Sequence, residues 1–167
     1  MNTLSIALLL ILLHPFALPL AASSGSAARR EAPQKKDLYP AGADAKKEID
    51  EALHSALPAR KRVLVVFGAN WCFDCHALDD AFHSPEIAPI LDKYFVVVHV
   101  DIGRGDKNLD LAQKYEVPLK RGIPAIAVLD STGKLLFSQK NGEFEAARSL
   151  ANADILAFLN KWKLASP

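Results

Sequence analysis

The stretch FGANWCFDCH, residues Phe67–His76, decides the fold and the chemistry of this chain. It contains both cysteines of the 167 residues, and it begins at the end of a short β-branched run, 63–67. Such a run predicts a buried strand. The residues that follow, 77–82, place Leu78 and Phe82 four positions apart on one face, which predicts a helix. The first cysteine therefore lies between a strand and the mouth of a helix.

The two cysteines are spaced for thiol–disulfide exchange. Cys72, at the mouth of the helix, has unpaired N–H groups and the positive end of the helix dipole near its sulfur, and both favour the thiolate. Cys75 follows one turn later on the same face, close enough to form a disulfide with Cys72. We predict that Cys72 is the attacking thiol and that Cys75 is the thiol that resolves the mixed disulfide.

Other interpretations of the same residues remain open at this point. The letters CFDCH, residues 72–76, match the C-x-x-C-H pattern of c-type haem attachment. A purely structural disulfide between Cys72 and Cys75 would close a very small loop and would stabilise the fold little. A zinc site would need ligands from scattered histidines, because the chain has only two cysteines, and no metal site is predicted.

The first part of the chain has the composition of an export signal. Residues 1–22 carry no Lys, Arg, Asp or Glu, and they contain a ten-residue apolar run, 4–13, followed by small residues. This layout is typical of a signal peptide, so we expect an exported protein, periplasmic or secreted, with no stable membrane insertion after cleavage. Residues 23–43 are polar and contain Pro and Gly, which predicts a flexible linker. The net charge of +1 gives no indication of nucleic-acid binding.

The rest of the chain alternates between helical and strand patterns. Asp44 is placed to cap a helix over 45–57 that Pro58 would end, and Ser84 with Pro85 predicts another helix start. The run 95–100 is apolar almost throughout, which predicts a central strand. Strands are further expected at 125–129 and 134–138, paired as a hairpin, and helices at 108–115 and from 152 or 154 onward. The order indicates an α/β fold.

Three motifs at these positions resemble the thioredoxin-like superfamily. They are WCFDC at 71–75 after a core strand, Val100-Asp101 at the end of the next strand, and RGIPA at 121–125 before a hairpin. The resemblance is to exported bacterial members with a disulfide-exchange role, and it covers the domain predicted at 44–163. It implies a three-layer fold with a central mixed sheet of about four strands flanked by helices.

The resemblance also assigns roles to residues of the site. Pro124 matches the family's cis-proline, which lies against the disulfide, and the backbone of Ile123 matches the group that pairs with bound substrate chains. Trp71 matches the aromatic residue beside the attacking thiol. The implied partners are protein thiols and disulfides, together with a separate electron donor or acceptor that resets the site. The redox-active disulfide Cys72–Cys75 is implied to work without a further cofactor.

The chain departs from the family at the position of the proton acceptor. Thioredoxins carry a buried acid six residues before the first cysteine, and here that residue is Val66. His99 and His76 are the candidates for proton transfer in its place. Asp74 disfavours a thiolate at Cys72, whereas a protonated His76 would favour it. The two effects oppose each other, which predicts a moderate pKa for Cys72. We therefore expect a reducing or isomerising protein and not a strong oxidant. The alternative of a redox-silent binding module is disfavoured by the intact pair of thiols.

Overall fold

The computed structural model describes residues 37–164. The predicted signal peptide and most of the predicted linker lie outside these residues. The helices are α1 (Ala45–Ala59), α2 (Phe73–Phe82), α3 (Ala88–Tyr94), α4 (Leu109–Lys114) and α5 (Asn152–Trp162), and the strands are β1 (Arg62–Gly68), β2 (Phe95–Asp101), β3 (Ala125–Leu129) and β4 (Leu135–Ser138).

The four described strands form one mixed sheet in the order β2-β1-β3-β4. β1 is parallel to β2 and antiparallel to β3, and β3 is antiparallel to β4. At the middle of the sheet, Val65 of β1 lies between Val98 of β2 and Ala127 of β3. The predicted mixed sheet and the β3–β4 hairpin are both confirmed.

Helices cover both faces of this sheet. Alternate residues of a strand point to opposite faces, so Val63 and Val65 pack against α1 and α4, whereas Leu64 and Val66 pack against α2, α3 and α5. Each fully buried side chain of this size contributes about 1.5–3 kcal/mol. The three-layer thioredoxin-like fold predicted from the sequence is confirmed.

The prediction that the second strand is central is wrong. β2 pairs with β1 on one side and forms the edge of the described sheet on the other. Its apolar run comes from helices that pack against the two faces, α1 on one side and α3 on the other, and not from pairing along both edges. A strand that is covered on both faces is apolar wherever it lies in the sheet.

Two helix boundaries also differ from the predictions. α1 continues through Pro58 to Ala59, where Arg60 adopts a left-handed conformation and donates its N–H to the last carbonyls. A proline in the last turn removes only one hydrogen bond, so the helix tolerates it. The helix predicted at Ser84 begins instead at Ala88, with Pro89 in its first turn, and the four residues before it form a separate turn.

The end of the predicted linker is packed onto the domain. Leu38 and Tyr39 are buried, and they contact the two cysteines. The residues between 37 and α1 therefore form an arm that lies against the site, and we call residues 37–40 the N-terminal arm. The composition of 23–43 gave no signal for this, because only two of the arm's residues are large and apolar.

Candidate active site

Cys72 and Cys75 form a disulfide at the start of α2. Cys72 is the N-cap residue of the helix, and its sulfur accepts a hydrogen bond from the backbone N–H of Cys75 at 3.1 Å. The helix therefore begins directly after Cys72, which places this cysteine at the mouth of the helix as predicted. Cys72 is 5% exposed and Cys75 is 1% exposed. This order of burial suits an attacking thiol and a resolving thiol.

The loop before β3 lies against Cys72. The Ile123–Pro124 peptide bond is cis, as the resemblance implied, and the carbonyl oxygen of Ile123 is 3.6 Å from the sulfur of Cys72. Buried Gln139 supports this loop, since its amide accepts a hydrogen bond from the N–H of Ile126 and donates one to the carbonyl of Pro124. The structure thus places Ile123 and Pro124 next to Cys72, and the sequence analysis gave no role to Gln139.

Two large aromatic side chains stand exposed beside the disulfide. Trp71 is 48% exposed and Phe73 is 63% exposed. The indole N–H of Trp71 donates to the carbonyl of Gly103 at 2.7 Å, which fixes the ring, and the guanidinium of Arg104 lies 5.7 Å from its centre. Trp71 and Phe73 are thus exposed aromatic residues on either side of Cys72 in the sequence.

Asp74 is bound to Arg148, which the sequence analysis did not anticipate. One carboxylate oxygen accepts hydrogen bonds from the backbone N–H of Arg148 at 2.9 Å and from its Nε at 3.2 Å. These contacts, led by the backbone N–H, lower the pKa of Asp74 below its usual value. Asp74 is therefore ionised, but a cation partly offsets its charge, so it opposes a thiolate at Cys72 less than the sequence suggested.

The two candidate histidines occupy different surroundings. Nε2 of His76 is 2.9 Å from the carbonyl oxygen of Asn70. The ring of His99 meets the ring of Tyr39 edge-on at 5.4 Å, and its Nε2 is 3.7 Å from a carboxylate oxygen of Asp79. Through Tyr39, His99 adjoins the cluster that contains both cysteines.

Asp79 is a site residue that the sequence analysis missed. It is one of the few buried charged side chains in the described part of the chain. It lies four residues after Cys75, so the two share one face of α2. The spacing of four residues could therefore have identified Asp79 as a site residue from the sequence.

Asn70 holds the N-terminal arm against the site. Its side-chain oxygen accepts hydrogen bonds from the N–H groups of Leu38 and Tyr39 at 3.0 and 3.1 Å, and its amide donates to the carbonyl of Tyr39 at 2.7 Å. The side chain thus pairs with the arm as a neighbouring strand would. Sequence reasoning missed this contact because its partners are more than 30 residues apart.

We expect Asn70→Ala to release the arm. The change leaves two backbone N–H groups without their acceptor, so the free energy of unfolding should fall by about 1–3 kcal/mol. Urea unfolding measures the loss, and limited proteolysis should then cut near Leu38. Asn160→Ala, at an exposed position on α5, is the matched control and should leave the free energy of unfolding and the proteolysis pattern unchanged. Equal behaviour of the two variants would contradict the role given to Asn70.

Two further properties of residues 37–164 bear on function. No group of three or more His, Cys, Asp or Glu side chains within this part of the chain is arranged to hold a metal ion. No helix in the same residues has both the length and the apolar character needed to cross a membrane.

Comparison with known proteins assigns the family. A model of thioredoxin-like proteins matches residues 44–131. The chain belongs to the thioredoxin-like family. It is similar to a thioredoxin from Buchnera aphidicola, with 34% identity over 106 residues that cover 62% of this chain and 81% of that protein. This thioredoxin-like chain is also 33% identical, over 88 residues, to the thiol:disulfide interchange protein DsbD of Vibrio vulnificus.

The chain spans only a small part of that second relative. The matched residues are 52% of this chain but 14% of the Vibrio protein. Among solved structures, a disulphide isomerase from Xylella fastidiosa Temecula1 is 40% identical, with a TM-score of 0.69, and the match covers 74% of this chain and 94% of that one. With its Cys72–Cys75 disulfide, this domain is of the thiol–disulfide oxidoreductase class.

Proposed function

We propose that the protein reduces or isomerises disulfides of exported proteins through Cys72 and Cys75. The observation that carries this proposal is the position of the disulfide. It lies at the N-terminus of α2, with the sulfur of Cys72 beside the Ile123 carbonyl and with exposed aromatic residues on either side of Cys72 in the sequence. A sulfur at a helix N-terminus is favoured as thiolate, which is both the attacking form and a good leaving group.

The exchange takes two steps. In the first, the Cys72 thiolate attacks one sulfur of a substrate disulfide, that S–S bond breaks, and the other substrate sulfur leaves with the electron pair. In the second, Cys75 attacks the sulfur of Cys72 in the mixed disulfide and the substrate thiol is released. The substrate gains two electrons and the site becomes a disulfide. A separate dithiol donor returns the electrons; with the donor absent, the same steps in reverse oxidise dithiols.

The proton of Cys75 needs an acceptor before the second step. Because Val66 replaces the family's buried acid, we assign this task to the pair of Asp79 and His99. Asp79 is buried one turn after Cys75, and His99 lies 3.7 Å from its carboxylate and contacts solvent. A buried carboxylate beside an imidazole can take a proton from the site and pass it outward.

The surroundings of Cys72 suit an extended protein chain as substrate. The backbone of Ile123 is next to the attacking sulfur, where it can pair with the substrate strand. Trp71 and Phe73 offer exposed aromatic surface on either side of Cys72 in the sequence. Backbone pairing and apolar contact recognise any unfolded segment around a cysteine, so we expect broad specificity for proteins.

Two assays separate reduction from isomerisation. Reduction is measured with insulin as substrate and a dithiol as electron source, and isomerisation by recovery of ribonuclease activity from the scrambled enzyme. The double variant Cys72→Ser, Cys75→Ser is the blank. Turnover in either assay supports the proposal and assigns its direction. No activity above the blank in both would overturn it in favour of the redox-silent binding module.

The haem alternative uses the same two sulfurs. In c-type attachment both cysteines bond to the haem and the histidine binds its iron. Here Cys72 and Cys75 bond to each other, and His76 faces the carbonyl of Asn70. This geometry, on a thioredoxin-like domain, favours exchange over haem attachment. A Soret band in protein from a host that attaches haem would contradict this choice.

Export is part of the proposal and has its own test. We expect residues 1–22 to be removed during secretion, because their apolar run and small residues are those of a cleaved signal peptide. Intact-mass measurement of protein from the periplasm or medium of a bacterial host should show a mature chain that begins after residue 22. A mass equal to the full 167 residues would contradict cleavage and would favour an uncleaved anchor.

A further inference from the structure

The hydroxyl of Tyr39 is a buried polar group without a hydrogen-bond partner among the described residues. The side chain is 1% exposed and packs in one cluster with Leu38, Cys72 and Cys75. Burying a hydroxyl with no partner destabilises a folded protein. Such a group in a folded protein calls for an explanation, and its position suggests one.

The space next to Gly68 shows that the Tyr39 hydroxyl lies near Cys75. A Cβ atom at Gly68 would lie 2.8 Å from the sulfur of Cys75, and it would also overlap the hydroxyl of Tyr39. The Tyr39 oxygen and the Cys75 sulfur therefore border the same small space. Asn70 fixes the backbone of Tyr39 through two hydrogen bonds and that of Leu38 through a third, so the arm that carries the ring is held in this position.

The strength of the hydrogen bond that this hydroxyl can donate to Cys75 depends on whether the sulfur is oxidised or reduced. Cysteine sulfur is a weak hydrogen-bond acceptor, whereas an ionised group accepts bonds about twice as strong as a neutral one. Reduction converts the Cys75 half of the disulfide into a thiol or thiolate. As a thiolate, the form in which it resolves the mixed disulfide, Cys75 offers the hydroxyl a much better acceptor than the disulfide sulfur does.

The surroundings keep Tyr39 protonated and available as a donor. The ionisable groups around it are Asp79 on α2 and His99 and Asp101 on β2. Burial, followed by the negative charges of the two carboxylates, raises the pKa of Tyr39 well above its usual value. The oxygen therefore carries its proton at neutral pH.

We propose that the Tyr39 hydroxyl donates a hydrogen bond to the sulfur of Cys75 when the disulfide is open, and that it thereby stabilises the reduced site. Tyr39 is a positioning residue that biases the couple through Cys75. The inference rests on the proposed function, because it concerns the same redox pair. It assigns to the N-terminal arm the task of making Cys72–Cys75 easier to reduce.

The first test is the equilibrium with glutathione. Two glutathione thiols supply two electrons and two protons; the Cys72–Cys75 bond breaks, a bond forms between the glutathione sulfurs, and the protons go to the protein sulfurs or to solvent. Tyr39→Phe removes only the donor. We expect the equilibrium constant for reduction to fall about tenfold, which corresponds to a potential about 30 mV more negative. Tyr115→Phe, another buried tyrosine, is the matched control and should match the unmodified chain.

The second test separates a redox role from a structural one. Urea unfolding of the oxidised and dithiothreitol-reduced chains gives the stability of each form. Tyr39→Phe should destabilise the reduced form and leave the oxidised form unchanged or slightly more stable, because there it removes an unpaired hydroxyl. An unchanged glutathione equilibrium, or an equal loss in both forms, would overturn the inference.

The two proposals fail in different ways. If the unmodified chain did not equilibrate with glutathione at all, the proposed function would fall, while the stability comparison would still decide the role of Tyr39. If Tyr39→Phe did not fold, the unmodified chain with ¹³C-labelled tyrosine answers the question. Reduction should shift the Tyr39 Cζ resonance and leave that of Tyr115 in place; no shift at Tyr39 would contradict the inference.

Discussion

Cys75→Ser should accumulate as a covalent complex with its substrates. Cys72 can still attack a substrate disulfide in this variant, but no second thiol is present to resolve the mixed disulfide. The complexes should survive non-reducing electrophoresis and disappear with dithiothreitol, and turnover of insulin should fall to the level of the blank. Mass spectrometry of the trapped species should locate the substrate on Cys72.

Cys72→Ser is the matched variant and should form no such complexes. Cys75 is 1% exposed, against 5% for Cys72, so we expect a substrate disulfide to react at Cys72 and not at Cys75. Turnover should again be lost, because no attacking sulfur remains. Trapping by Cys72→Ser in place of Cys75→Ser would reverse the roles assigned to the two thiols.

Gly68→Ala should destabilise the domain by about 1–3 kcal/mol. An added Cβ would lie 2.8 Å from the sulfur of Cys75 and would overlap the hydroxyl of Tyr39, in a space where atoms have little freedom to move. Overpacking of a well-filled interior typically has a cost of this size. The measurement is the urea midpoint of the oxidised chain, converted to a free energy of unfolding with an unchanged slope.

A double variant identifies the cause of that loss. In a chain that already carries Tyr39→Leu, the oxygen that the new Cβ would meet is gone, so Gly68→Ala should cost less. Contacting residues show coupling energies of about 0.5–3 kcal/mol in such cycles. If the cost of Gly68→Ala were the same with and without Tyr39, the loss would come from the contact with the Cys75 sulfur or from the backbone of β1, and not from crowding against Tyr39.

The strand, the cysteine pair and the helix around the site could be predicted because the sequence patterns that indicate them lie within a short stretch of the chain. The β-branched run before Cys72 forms β1, and the spacing of Leu78 and Phe82 belongs to α2. Three short motifs and their order along the chain then sufficed to indicate the family, and the family implied the mixed sheet. The placement of Ile123 and Pro124 beside Cys72 came from that resemblance alone, since 51 residues separate Ile123 from the sulfur that it contacts.

The parts that could not be predicted depend on tertiary contacts. Whether β2 is an edge or a central strand is decided by which strands pair, and its apolar pattern is the same in both cases. The burial of Tyr39 depends on Asn70, whose side chain replaces a strand partner for the arm. The sequence of the short polar arm contains no periodic pattern that would predict its contact with Asn70. Asp79 is different, because its spacing from Cys75 was visible in the sequence and was not used.

The most direct test of the central claim is whether the Cys72–Cys75 bond is a reversible redox couple. Oxidised protein is equilibrated with a series of ratios of reduced to oxidised glutathione, quenched with acid, and alkylated with a reagent that adds a known mass to each free thiol. Our account predicts one two-electron transition in which both thiols appear together, and the same curve when the reduced protein is the starting point. Cysteines that stay oxidised across the whole series, or that never form a disulfide again after reduction, would contradict it.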